Sequence, residues 1–481
     1  MEPKRNILII AYYFPPSGGP GVQRVLKHVK YLPDWGWNPI VLTVSNGQYP
    51  AVDESLLEQI PKGTTVIRTK LFEPYDIYRM FTGKKPGSAV DVNVIKKDGQ
   101  KSSFKERIAE FIRATFFIPD ARMSWYFTSK QIVDETIKKY NIEAIYSSSP
   151  PYTCSLIARR AKKKHNLMWV AGFRDPWTGF ISSPKRWFLP AMIDRKLEYL
   201  TFKDADKVEC AWEGIMKDVF NKYPMIDRTK FRHIPNGFDS NDFPKVEEIR
   251  NSKFTVTYTG SMYGRRNPAA IFQAVEELIA ERRISQTEIK FKFIGRFGDE
   301  VHEMFKNASF SNNIEVIDYI PHKESIRHLL HSDALLLIVD ESKESNEIVP
   351  GKVYEYIGVK KPIIANAPEK SAIAELLKYS KAGKVAHQDN ITKIKEIFEE
   401  YYKAWKNGNV FFEPDNKIIS QFERRHAAGM LADLFYLMIE ARDDWDPEPD
   451  PDEDYDERRA FDPDFNEDDE DDEEYYRSKL D

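Results

Sequence analysis

Twelve short runs of branched and aromatic residues recur along the chain, each separated from the next by a stretch with helical spacing. They fall into two series. The first is "NILIIAYY", "NPIVLTV", "TTVIRT", "EAIYSSS", "LMWVAGF" and "DKVECAW". After "HIPNGFDSNDFP" the alternation restarts with "FTVTYTGS", "IKFKFIGR", "IEVIDYI", "ALLLIVD", "KPIIANA" and "GKVAH". Most of these runs are apolar at successive positions rather than alternate ones. Such a strand has no face it can show to water, so it must lie in a parallel sheet with helices on both sides. The sequence therefore predicts an α/β protein made of two doubly wound units in series.

Length agrees, because 481 residues exceed what one hydrophobic core supports. Pro224, Pro235, Asn236, Gly237 and Pro244 punctuate a polar stretch at residues 222–252, which places the boundary there. The expected organisation is an N-terminal Rossmann-like domain over 1–235, a second over 236–410, closing helices over 411–440 that pack back on the first domain, and a disordered acidic tail over 441–481. The tail holds 21 Asp and Glu against 5 Lys and Arg, or −16, leaving the rest with 66 basic and 55 acidic residues, or +11. A tail of such like charge cannot bury a core. It is either a solubilising segment or one with a partner or an autoinhibitory role. The basic body suits an anionic ligand such as a nucleotide, or an anionic membrane surface.

Cys154 and Cys210 form no disulfide framework and no metal-ligand spacing, which suits a reducing compartment, the cytoplasm. The opening "MEPKRNILIIAYYF" ends in Pro-Pro without a small-residue cleavage site and reads as a first strand rather than a signal peptide. No apolar stretch approaches the roughly 20 residues needed to span a bilayer, so membrane contact would be peripheral.

Three loops could carry chemistry. "PPSGGPGVQR" follows the first strand, where glycines permit positive φ and close approach to backbone amides, and where a helix points its positive end. A dinucleotide fingerprint beginning at Gly19 would need glycine at position 24, which is Arg24, so the dehydrogenase reading is weak. A tight turn without a ligand remains the alternative. In "NEIVPGKVYEYIGVKKPIIA", Glu347 lies in a loop and Glu355 in the first turns of a helix opening near Gly351. A carboxylate before such a helix can accept from sugar hydroxyls, one inside it from a ribose diol, and the free amides between can hold a diphosphate beside Lys352. Solvated helix-face charges are the alternative. "VTYTGSMYGRRNPAAIFQAVEEL" is again a strand, a glycine loop and a helix, with Arg265 and Arg266 at the strand's carboxyl end.

Taken together, the Gly-rich first loop, "FRDPWTG", "HIPNGFD", "YTGSMYGRRNP" and the Glu347/Glu355 pair resemble, in this order, family 4 retaining glycosyltransferases of the GT-B fold, over roughly residues 5 to 440. The resemblance implies two Rossmann-like domains facing across a cleft. It implies Glu355 on the nucleotide ribose, Glu347 on the donor sugar, and a diphosphate held by amides from Pro350 through Gly351 and Lys352 to Val353, next to Val349. Gly19, Gly21, Gly260, Ser261, Arg265, Arg266 and Gly295 complete the donor side. Many members carry Arg directly after the glycine of "TGS"; here that position is Ser261, so one phosphate cation is absent and Arg265 or Lys352 is its substitute. The glycine usual three residues after the first Glu is Pro350. Where the N-terminal domain often presents a His, "FRDPW" offers Arg174 or Asp175; Asp175 also fits a helix N-cap followed by Pro176.

The implied activity is transfer of a sugar from a nucleotide-diphosphate sugar to a glycan or lipid-linked acceptor, with retention, no metal and no other cofactor, in cell-surface polysaccharide or glycoconjugate synthesis. A nucleotide-sugar epimerase on the same fold and a non-catalytic scaffold are the alternatives; no nucleic-acid partner is expected. Asp204-Ala205-Asp206 matches a metal-binding D-x-D but precedes a strand, and His328 and His331 lack a third ligand. Residues 104–127 carry Lys105, Arg107 and Arg113 among Phe104, Phe111, Phe116, Phe117 and Trp125, which suits either a membrane interface or packing on its own domain.

Overall fold

The structure is a computed structural model that describes residues 4–49, 51–72, 111–179, 185–247, 250–340, 347–408 and 412–443. The acidic tail beyond Asp443 and residues 104–110 of the basic-aromatic segment lie outside the described residues.

The first series of runs forms a seven-stranded sheet, built of β1 (Arg5–Ala11), β2 (Trp37–Val44), β3 (Thr65–Thr69), β4 (Ile142–Ser149), β5 (Met168–Phe173), β6 (Lys207–Cys210) and β7 (Phe231–His233) in the order β3-β2-β1-β4-β5-β6-β7. The second forms a six-stranded sheet of β8 (Phe254–Thr259), β9 (Ile289–Ile294), β10 (Ile314–Ile317), β11 (Ala334–Ile338), β12 (Ile363–Asn366) and β13 (Gly383–Ala386), ordered β10-β9-β8-β11-β12-β13. Every pairing in both sheets is parallel. Each sheet winds in two directions from its first strand, leaving a crevice between β1 and β4 and another between β8 and β11. Ligands of open parallel sheets bind at such switch points, beyond the carboxyl ends of the strands.

Burial on both faces follows from the period of two. In β1, Leu8 and Ile10 face one core while Ile7, Ile9 and Ala11 face the other, all of them buried. In β8, Phe254, Val256 and Tyr258 enter an aromatic core, whereas the buried Thr257 and Thr259 on the opposite face are satisfied by Ser332 and Tyr356.

Helix α1 (Pro20–Tyr31) follows β1, and the last described helix, Arg424–Asp443, packs on it: Leu431, Phe435 and Met438 share a core with Val22, Val25 and Val29. The chain thus leaves the first domain near residue 234 and returns near residue 424. At the two crossings, Phe238 N–H donates to the Phe422 carbonyl at 3.0 Å and Arg424 N–H to the Phe238 carbonyl at 2.8 Å.

Two local expectations are corrected and one open alternative is decided. The polar stretch 222–252 contains β7, which "FRH" hides because it has one apolar residue. Of the two readings open for Trp125, packing on its own domain holds: it is buried and donates to Thr69 Oγ1 at 2.7 Å. No helix begins at Asp175, so it is not an N-cap. Asp204 and Asp206 flank the turn into β6 and are engaged by Arg159 and Lys162.

A buried ion pair anchors the crossing. Arg24, in the second turn of α1, donates through Nη2 to Glu209 of β6 and to the Ile234 carbonyl at 2.6 Å, and through Nη1 to the Pro235 carbonyl and Asn236 Oδ1, both at 3.2 Å. The other Glu209 oxygen accepts from Tyr146 of β4 at 2.5 Å. Burial opposes the charge on both partners, but the pair, helped by Tyr146 and, for Glu209, by His28, outweighs that cost, so Arg24 is raised and Glu209 lowered from their ordinary pKa values. Removing one partner leaves the other charged and unpaired, so Glu209→Ala should lower unfolding free energy by about 3–5 kcal/mol. Tyr146→Phe, which deletes one hydrogen bond, should cost about 1–3 kcal/mol. Urea denaturation of both variants checks the ranking.

Candidate functional site

The N-terminal wall begins at the glycine loop. Gly19 caps α1 with φ 95°, a conformation that favours glycine, and a Cβ there would meet nothing within 4 Å. Gly21 differs: a Cβ would lie 2.6 Å from Arg174 Nη1, and the Gly21 carbonyl accepts from that nitrogen at 2.7 Å. The glycines thus serve two ends, one open backbone position and one seat for an arginine.

Arg174 follows β5. Its second nitrogen donates to the Pro150 carbonyl after β4, and its guanidinium stands 5.6 Å from the Tyr13 ring centroid. The segment behind it is held rigidly. Tyr152 OH donates to the Pro176 carbonyl at 2.5 Å, Trp177 Nε1 to Asp194 at 2.8 Å, and Thr178 through its amide and hydroxyl to Glu198. Burial raises the Asp175 carboxyl from its ordinary value against the pull of Arg174. Trp212, after β6, donates to the Arg174 carbonyl at 3.2 Å.

The C-terminal wall is built from loops after β8, β9 and β11. Gly260 (φ 122°) and Gly295 (φ 141°) sit against each other, so that a side chain on Gly295 would collide with the Gly260 carbonyl. Ser261 is exposed and its carbonyl accepts from Tyr258 OH at 3.0 Å. Arg266 pairs with Asp340, just past β11, at 2.9 Å, and its buried Nε has no partner. Arg265 is exposed in the preceding turn and is not drawn into this group.

The helix Gly351–Val359, called α9 here, starts after Pro350, in a conformation outside the helix. The proposed run of amides is shorter than the sequence suggests. Pro350 has no N–H, and Val353 N–H donates to the Pro350 carbonyl at 3.0 Å. The Gly351 and Lys352 amides stand at the open end, where the helix itself supplies no partner. Val349 packs against the core below.

Lys352 reaches back over β8. Its Nζ donates to Tyr258 OH at 3.0 Å, lies 4.2 Å above that ring's centroid, and would be 3.5 Å from a Cβ on Gly260. Loss of water, then Arg266, pushes its pKa down to about 7.

The two glutamates face different partners. Glu347 extends to the other domain, where a Cβ on Gly214, in the first turn of the helix after β6, would lie 2.6 Å from its Oε2. Glu355 accepts from His322 Nε2 at 2.8 Å. The sequence reading missed His322. Its signal was position, at the first turn of the helix after β10, rather than pairing with His328 or His331. Burial opposes protonation of His322, but Glu355 outweighs it and raises the pKa. Among the described residues no group of three or more His, Cys, Asp or Glu side chains could hold a metal ion.

Residues 239–417 match the family model described as glycosyl transferases group 1. No curated protein matches it in sequence. Its fold is similar to Anabaena HepE in complex with UDP and glucose (TM-score 0.53, 12% identity, 90% of this chain and 99% of that one). It is likewise similar to the lipopolysaccharide outer core galactosyltransferase WaaB in apo form (0.52, 13%, 90% and 99%) and to S. aureus TarM (0.53, 10%, 90% and 100%). At these identities the likeness establishes architecture: two α/β domains in the GT-B arrangement.

The His322–Glu355 pair gives a signed pH dependence. The folded pKa of His322 lies above its ordinary 6.5, so the pair's stabilisation is complete below that value and is lost as pH rises through the folded one. Asp242 and Lys27 also face this imidazole, the first supporting and the second opposing its charge. His322→Asn should therefore cost about 1 kcal/mol in mildly acidic buffer and little in alkaline buffer. Denaturation series at several pH values measure the difference.

Proposed function

We propose that the protein transfers a sugar from a nucleotide-diphosphate sugar to a glycan or lipid-linked acceptor, with retention of configuration and without a metal, in cell-surface polysaccharide or glycoconjugate synthesis. The observation that carries this is the seat of Lys352. Its ammonium lies beside Gly260 and within electrostatic reach of Arg266, on the helix whose Gly351 and Lys352 amides are open, which supports Lys352 as the substitute for the cation missing after "TG".

Departure of a nucleoside diphosphate concentrates negative charge on the leaving group, and fixed cations and amides stabilise that charge without reorganising. Here the donors would be Lys352, Arg266 and the start of α9. Glu355 would accept from the ribose diol once His322 shares it, and the Glu347 carboxylate, at the opposite wall, would accept from hydroxyls of the transferred sugar. Gly19 leaves the first helix open to whatever approaches from the acceptor side, while Arg174 and Asp175 stand at the end of β5 to contact sugar or acceptor. No enzyme nucleophile is assigned. A front-face delivery, in which the acceptor enters on the side the diphosphate leaves, needs none.

HepE was solved with UDP and glucose, which makes UDP the first nucleotide to try. Calorimetric titration should show UDP binding that persists in EDTA and weakens at least about tenfold in Glu355→Ala and in Lys352→Ala, the size expected for losing a charge-assisted contact. Because an anion favours the charged form of Lys352, UDP affinity should rise as pH falls through about 7, and Lys352→Met should flatten that rise. Affinity unchanged by both alanine variants would remove this site. Product analysis then separates transfer, which needs a second acceptor molecule, from epimerisation, which does not, and from a scaffold that turns over neither.

A further inference from the structure

Two segments far apart in sequence form one exposed apolar face on the first domain. Residues 111–116 are helical, and Phe188–Asp204 forms the helix before β6. Arg186 staples them together. Its Nη1 donates to the Ala114 carbonyl at 2.7 Å, its Nη2 to the Phe117 and Pro119 carbonyls at 2.9 and 2.8 Å, and its Nε to Asp194 at 2.7 Å. Trp187 Nε1 adds a bond to Thr115 Oγ1 at 3.0 Å.

The staple spends buried polar groups to hold large apolar side chains in water. Phe111 is 58% exposed, Phe116 71% and Phe188 65%, and Trp187, Leu189 and Met192 are exposed beside them. Soluble monomers rarely display such a cluster, and where one occurs it marks a binding face. Among the described residues the charges around it have one sign. Within residues 111–117 and 185–196 the exposed or part-exposed ionic side chains are Arg113, Lys185, Arg195 and Lys196, while Asp194 is buried and paired.

We propose that this face docks on an anionic lipid surface, its aromatic and aliphatic side chains entering the headgroup boundary and Lys185, Arg195 and Lys196 lying against lipid phosphates. Apolar insertion with basic flanks is the combination that holds interfacial helices to membranes. A second copy fits poorly, because two-fold pairing would set the same positive charges against one another. No described helix is long and apolar enough to cross a bilayer, so the contact lies on one leaflet. The face is one residue layer from the acceptor wall: Asp194, which Arg186 holds, accepts from the Trp177 indole behind Arg174. Docking would bring a lipid-linked acceptor to that wall.

The test uses the full chain and co-sedimentation with phosphatidylcholine vesicles, with and without phosphatidylglycerol. The bound fraction should rise with the anionic lipid and fall with salt. The doubles Phe116→Ser/Phe188→Ser and Lys185→Glu/Lys196→Glu should each reduce vesicle partitioning at least about tenfold. Both should keep the parental unfolding midpoint and UDP response, since all four side chains are exposed and none is among the cleft residues named above. Vesicle binding unchanged in both doubles, or absent from the parent protein, overturns the proposal. So does a dimer in analytical ultracentrifugation that the Phe116/Phe188 double dissolves, which would assign the face to a second copy. Vesicle binding does not depend on the nucleotide, so a protein that binds vesicles but not UDP would sink the transferase reading alone.

Discussion

An arginine and a glutamate share a dry interior at the place where the two domains are joined. Ionised groups persist there only when nearly every lone pair and N–H has a partner, and Arg24 and Glu209 meet that condition by recruiting α1, β4, β6 and the backbone at residues 234–236. The orientation of α1 follows from it. With its second turn fixed to the sheet, the first turn must project past the carboxyl ends of the strands, which leaves Gly19 open and Gly21 against Arg174. Arg424 arrives from the other end of the chain and shares Asn236 with Arg24, at 3.4 Å. Burial and the like charge of Arg24 push the pKa of Arg424 down to about 10, so the place where the chain returns is electrostatically tense as well as tightly packed.

The two walls of the cleft are prepared differently. On the C-terminal side, Lys352, Arg266 and the start of α9 converge on one spot, and the side chains that flank it are already paired: Lys352 with Tyr258, Arg266 with Asp340, Glu355 with His322. A ligand there exchanges protein partners for its own. On the N-terminal side the backbone is exposed at Gly19, and Arg174, Trp177 and Thr178 are locked by hydrogen bonds. One wall therefore offers charge that can be redistributed, the other a rigid shape.

Much of this was legible in the sequence, and the limits have physical causes. The strands were legible because a parallel strand under helices is apolar on both faces, which local composition records directly. β7 was not, because three residues at a sheet edge need little apolar content. Glycine and carboxylate positions were legible because special φ values and helix starts restrict which residues can occupy them. Arg24 showed only as the residue that breaks a dinucleotide fingerprint; its role comes from Glu209, 185 positions away, and no local pattern reports such a pairing. Likewise nothing near Glu355 announces His322, and nothing near Glu347 announces Gly214. Trp125 was left between two readings because an aromatic residue beside cations has the same local signature in a core and at a surface.

The paired crossings at Phe238 and Phe422–Arg424 carry one more consequence. Two domains tied by a single strand can twist, slide and swing. Here the outgoing and returning strands are hydrogen-bonded to each other at one point, so twisting would shear those bonds and sliding would break them, whereas swinging about the point strains neither. Such a joint favours a hinge over a twist or a slide, with α1 and α9 on its two sides. A ligand entering between them would then meet surfaces that approach along an arc, and its fit would follow from where that hinge is placed.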